Sequence, residues 1–167
     1  MDSVTVPQKG ERVSGFRALW RRLALGREKP TPPRSAVVGQ WGEAQAAAYL
    51  GARGYGIVGR NVRPNRHDEI DIVARTGETL VFVEVKTRRR EDFGRPMMAV
   101  DKEKRHALNR AAAAYLRKAK YPDLFYRFDV VEVLGQPEEG EPEIRHLDNA
   151  FPFERRFVFP VRAHGAE

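Results

Sequence analysis

Asp71, Glu84 and Lys86 stand inside two of the most apolar runs of the chain, "EIDIVA" and "TLVFVEVK". Charges in such company call for a chemical reason, because burying a carboxylate without a partner is costly. Gly77-Glu78, between the runs, suits a two-residue hairpin turn with glycine at its first central position. That turn pairs Thr76 with Thr79, Ile72 with Val83, Asp71 with Glu84, and Glu69 with Lys86. Two carboxylates facing each other at about 5 Å repel. Either a pKa rises or a cation sits between them. Lys86, two residues beyond Glu84, points the same way and compensates part of the charge. A divalent metal compensates more, and Mg2+ is commonly held by one or two carboxylates with water completing its shell.

Glu43 supplies a third carboxylate. It shares a helical stripe with Ala46, Ala47 and Leu50, so a helix packed on the sheet can aim it at the same spot. Lys104 lies one turn before Leu108 on a second apolar stripe and reaches the rim of the sheet. Arg88, Arg89 and Arg90 follow the second strand directly. Carboxylates, a divalent metal, a lysine and clustered arginines together describe phosphodiester hydrolysis. The metal activates a water, Lys86 orients or deprotonates it, and the arginines with Lys104 hold nucleic-acid phosphates. The same spacing also suits plain ion pairs of Asp71 and Glu84 with Lys86 or the arginines. His67, His106 and His146 have no metal-ligand spacing, and Asp129 in "RFDVV" reads as a structural carboxylate.

The elements that must position these groups follow from the patterning. "VVGQWGEAQAAAYLGARGY" predicts a helix closed by Gly51 and Gly54. "GIVGRNV" predicts a short strand, and the two apolar runs predict the strongest strands. Asp101 is the expected N-cap of a helix over 102–119, with Leu108, Ala111, Ala112 and Tyr115 on one face. "YRFDVVEVL" predicts a strand and "IRHL" a short edge strand. On the hairpin, Ile70, Ile72, Ala74, Val81, Val83 and Val85 share one face. Val73, Leu80 and Phe82 share the other, with the charges collected at one end. The order α-β-β-β-α-β implies an α/β fold, a mixed sheet with helices packed on it.

Residues 1–35 read as a basic N-terminal extension, 36–151 as the folded domain and 152–167 as a Phe-rich tail. The "KPTPPRS" segment serves as linker. The first 37 residues carry eight Lys/Arg against three Asp/Glu, and the remainder 22 against 20. The excess charge that attracts polyanions is therefore concentrated in the extension. There, Phe16, Leu19, Trp20 and Leu23 fall at helical spacing among arginines, a pattern open to membrane, nucleic-acid or partner contact. The chain has no cysteine, which excludes disulfides and thiolate metal sites. No apolar run approaches the roughly 18 residues of a membrane span, and the first residues lack a signal peptide's apolar centre. The expected location is the cytoplasm.

"GQWGEAQAAAYL", "NVRPNRHDEIDIVA", "LVFVEVKTR", "FGRPMMAV" followed by Lys104, "RFDVV" and "NAF" resemble, in order, the YraN family of small bacterial proteins. That family is similar to the PD-(D/E)XK nuclease superfamily and to archaeal Holliday-junction resolvases. The resemblance implies a restriction-endonuclease-like core, a central mixed sheet flanked by helices. It implies that Glu43, Asp71, Glu84 and Lys86 occupy catalytic positions. Asp71, Glu84 and the Val85 carbonyl would bind Mg2+ or Mn2+. Asp68 departs from the glycine usual at its position, which alters a tight backbone point or adds an acid near the metal. The resemblance also raises the expectation of a DNA substrate, branched or damaged, and of a homodimer. Fold and chemistry separate readily, so a non-catalytic nucleic-acid-binding or scaffold protein stands as the alternative.

Overall fold

The protein is described from a computed structural model that covers residues 32–89, 100–120 and 124–157. Residues 1–31 of the N-terminal extension, Arg90 with the "EDFGRPMMA" segment, residues 121–123 and the end of the tail lie outside the described residues.

Helix α1 (Arg34–Ala52) begins directly after Pro33, inside the segment read as linker. Proline suits a helix start, where its missing N–H would have had no partner. Strands β1 (Gly56–Val62), β2 (Ile70–Thr76) and β3 (Thr79–Arg88) form an antiparallel meander. Helix α2 (Lys102–Lys118) crosses over to β4 (Phe125–Leu134), which pairs with β3 in parallel over ten residue pairs. Strand β5 (Glu143–Phe151) returns antiparallel along β4. The sheet order is β1-β2-β3-β4-β5. It is the α/β architecture expected, a five-stranded mixed sheet with two helices, consistent with a restriction-endonuclease-like core.

The hairpin register matches the turn chemistry. Gly77 takes φ +54°, and the pairs run from Thr76↔Thr79 to Ile72↔Val83. Beyond Ile72 the pairing stops, so Asp71 and Glu84 are not direct cross-strand partners and Glu69 does not face Lys86. Glu69 accepts from Arg63 instead, at 2.8 Å. Strand alternation also breaks there. Ile72, Ala74, Val81 and Val83 pack in one layer with Ala46 and Leu50 of α1, but Ile70 joins Val73, Leu80 and Phe82 in the layer under α2. The face assignment from sequence was therefore right except at Ile70, where the strand leaves its regular ladder.

Asp101 caps α2 as expected, its Oδ1 accepting the Lys104 N–H at 2.7 Å. Strand β5 is longer than "IRHL". It extends over nine residues through a bulge opposite Phe128–Val130, and Asn149 sits there at φ +53°. The irregular register hides the strand from a period-two reading. The start of the tail belongs to the core. The Phe153 ring lies 4.4 Å from that of Phe128 and 6.2 Å from that of Phe82, and Phe157 stacks on His106 at 5.6 Å. Among the described residues no helix is long and apolar enough to cross a membrane.

Candidate active site

The unpaired end of the β2–β3 hairpin opens into a cleft of about 660 Å3 between α1 and the sheet. Glu43, Asp71 and Glu84 all line it, with Arg34, Arg88 and Arg89. Three sequence-distant carboxylates are thus brought to one place.

Glu43 arrives there because α1 lies unusually close to β3. A Cβ built on Gly42 would fall 1.8 Å from Thr87 Oγ1, so only glycine permits this approach. Ala46 and Leu50, further along the same stripe, are fully buried against the sheet and fix the rotation of the helix. Glu43 is half-buried, and its Oε2 is enclosed without a hydrogen-bond partner.

Asp71 is held by the backbone of the neighbouring strand. Its Oδ2 accepts the Val85 N–H at 2.7 Å, the use left open where the ladder stops. Burial, then the negative charges of Glu84 and Glu43, push its carboxyl from 3.8 up to about 7, against the pull of the Val85 N–H and of Lys104. The raised pKa anticipated for two crowded acids is therefore present.

Glu84 has a side chain only 3% exposed and lies between two ammonium groups. Lys86 Nζ is 2.8 Å from Oε1, and Lys104 Nζ is 3.0 Å from Oε2. The Lys104 ammonium thus meets Oε2 both as a charge partner and at hydrogen-bonding distance. Burial alone would lower the Lys104 pKa, but the Glu84 carboxylate beside it overrides that and raises it. The ion-pair alternative read from the sequence is thus partly realised at Glu84. Lys104, expected at a phosphate, faces an acid.

Arg88 and Arg89 line the cleft, and Arg88 Nε lies 3.5 Å from Glu132. Arg90 is outside the described residues. Sequence reasoning missed Arg34, Thr87 and Gln136, which also line the cleft. Arg34 donates to Gln136 Oε1 at 3.2 Å. The available signal was its place in the first turn of the helix that carries Glu43.

Asp68 does not join the acids. It accepts from Arg110 Nε at 2.7 Å and from Asn65 at 2.8 Å, and the Arg110 guanidinium holds its carboxyl below the usual range. Its backbone is not left-handed. Asp68 thus ties the 63–69 loop to α2. Asp129 is structural, as expected. It is fully buried and accepts from His146 at 2.9 Å, from Arg127 at 2.9 Å and from the Asn149 N–H at 2.9 Å.

The donor set fits a hard divalent cation in chemistry. It offers carboxylate oxygens, one of them on Glu43 enclosed and without a partner, and an acid pushed toward protonation by burial and by its acidic neighbours. Among the described residues no three carboxylate or imidazole groups are yet gathered tightly enough to grip a metal. A cation would have to compete with the lysines for Glu84.

The sequence profile of the Uncharacterised protein family UPF0102 matches residues 42–133. That span contains Glu43, Asp71, Glu84, Lys86 and Lys104. A UPF0102 protein of Geotalea daltonii is 45% identical over 69% of this chain and 89% of its own length. One from Geobacter sulfurreducens is 45% identical over 69% and 88%. One from Symbiobacterium thermophilum is 47% identical over 70% and 98%.

Proposed function

The chain belongs to the UPF0102 family, and from that premise we propose that it is a metal-dependent nuclease-like protein of the PD-(D/E)XK type, hydrolysing phosphodiester bonds in DNA. The observation that carries the reading is the convergence of Glu43, Asp71 and Glu84 on one cleft that also holds Arg34, Arg88 and Arg89. Acids with arginines around them suit a cation below and a phosphate above.

Asp71 and Glu84 would hold Mg2+ or Mn2+ with the Val85 carbonyl, and Glu43 would complete the acidic set. The bound ion supplies an activated water and offsets charge on the phosphate. Asp71 keeps one oxygen on the Val85 N–H, which fixes its direction and leaves Oδ1 for the cation. Lys86 orients Glu84 and stands beside it as the group that positions the attacking water. Arg34, Arg88 and Arg89 bind flanking phosphates, so affinity falls as salt rises.

A second reading, a non-catalytic nucleic-acid-binding or scaffold protein, draws on one observation: Glu84 already carries two ammonium groups. A nicking assay on branched and linear DNA, with Mg2+ or Mn2+, separates the two. The nuclease reading expects metal-dependent cleavage that Glu84→Ala abolishes while DNA binding persists. Cleavage surviving both Glu84→Ala and Asp71→Ala removes this site from the chemistry. Binding by the wild type without any cleavage supports the scaffold reading.

A further inference from the structure

Lys104 is not placed as a phosphate ligand. It lies on α2, on the opposite face of the sheet from α1, and its ammonium reaches Glu84 Oε2 at 3.0 Å. Lys86 already serves the other oxygen at 2.8 Å. The two lysines differ in how they are tied. Lys86 is on the strand of Glu84, two residues along, and points with it. Lys104 comes from a separate helix on a flexible stem with 37% of its side chain exposed.

The charges around Glu84 explain why it is held. Glu43 and Asp71 are further carboxylates of the cleft, Lys86 and Lys104 are the ammonium groups in contact with Glu84, and Arg88 and Arg34 of the cleft have Glu132 and Glu138 beside them. A buried carboxylate without compensation is expensive, so the second lysine fills part of the deficit. A divalent cation at these acids would repel the Lys104 ammonium and compete with it for Glu84 Oε2.

We propose that Lys104 is an exchangeable counter-ion: it neutralises Glu84 while no divalent cation is bound, and the arriving cation frees it to take a nucleic-acid phosphate. The inference rests on the metal-dependent reading above and adds a coupling to it. Cation binding would create a phosphate contact, so each ligand would strengthen the other.

Two measurements test it. Calorimetric titration with Mg2+ compares the wild type with Lys104→Gln, and with Lys102→Gln as a control for removing an exposed charge at the start of the same helix. Lys104→Gln is expected to bind Mg2+ about tenfold more tightly, and Lys102→Gln about as the wild type does. Binding to a short DNA duplex at fixed ionic strength is then compared in EDTA and in Ca2+. Lys104→Gln is expected to lose affinity severalfold in Ca2+ and none in EDTA. An equal loss in both, or weaker Mg2+ binding, overturns the exchange. Should Lys104→Gln fail to fold, the lysine side-chain NMR signals of the wild type decide. The Lys104 Nζ signal must move on Mg2+ addition, and an unmoved signal overturns the proposal. A wild type that takes up no divalent cation overturns the metal reading with it. A wild type that does, alongside a Lys104→Gln that binds identically, overturns the exchange alone.

Discussion

Asp71→Asn should make the metal-free protein more stable at pH 8. The carboxyl is raised from 3.8 to about 7, by burial first and then by Glu84 and Glu43. Between those values the folded state binds more protons than the unfolded chain. The Asp71 contribution to wild-type stability therefore falls as pH rises across that window and levels off above it. At about 1.4 kcal/mol per tenfold, the full difference amounts to about 4 kcal/mol. The cleft is open to water, which screens the repulsion, so the expected gain is about 2 kcal/mol. Asparagine keeps the acceptor for the Val85 N–H and removes the charge. Urea denaturation in EDTA at pH 8 and pH 4 measures it. The variant should exceed the wild type at pH 8 and lose that advantage at pH 4, where the wild-type carboxyl carries its own proton. A variant no more stable than the wild type at pH 8, or equally favoured at both pH values, would refute the claim that these acids are crowded and short of positive charge.

Gly42→Ala drives a methyl into Thr87; it should cost about 1–3 kcal/mol in urea denaturation, with part of the loss recovered by adding Thr87→Ala. Asp129→Ala leaves Arg127 and His146 without their shared carboxylate in a fully buried place, at a cost of about 3–5 kcal/mol by the same measurement. Burial opposes ionisation of Asp129, but His146 and Arg127 outweigh it and lower its pKa. Its contribution is thus present above the ordinary value of 3.8 and fades as pH falls below it, which thermal unfolding across pH 2–6 will show. Phe153→Ala empties a place among Phe82, Phe128 and Tyr126 and should cost about 2–4 kcal/mol, showing by its lowered urea midpoint that the domain extends past residue 151.

Much of this arrangement was legible because local chemistry and global packing agree. Gly77 specifies the hairpin register, β-branched runs specify β2 and β3, and Asp101 announces α2. The inward stripe of α1 correctly placed Glu43 near the hairpin's acids. What was not legible depended on contacts between distant segments. Nothing near Lys104 in sequence says that it crosses to Glu84. Nothing near Asp68 reveals Arg110, which lies 42 residues away. The end of the Asp71–Glu84 ladder was missed because a backbone N–H competed for the Asp71 carboxylate. Strand β5 was cut short because a bulge breaks its alternation.

The parallel pairing of β3 with β4 has a consequence for the order of assembly. The β2–β3 hairpin closes through a two-residue turn and can form early, whereas the parallel partner must wait for the whole α2 crossover. Asp71 and Glu84 would then meet while still hydrated, before α1 delivers Glu43 and α2 delivers Lys104. The electrostatic burden of the cleft would fall on the steps that dock α1 and α2 against the hairpin. Substitutions that relieve it should slow the exit from the native state to the extent that this docking follows the folding transition state.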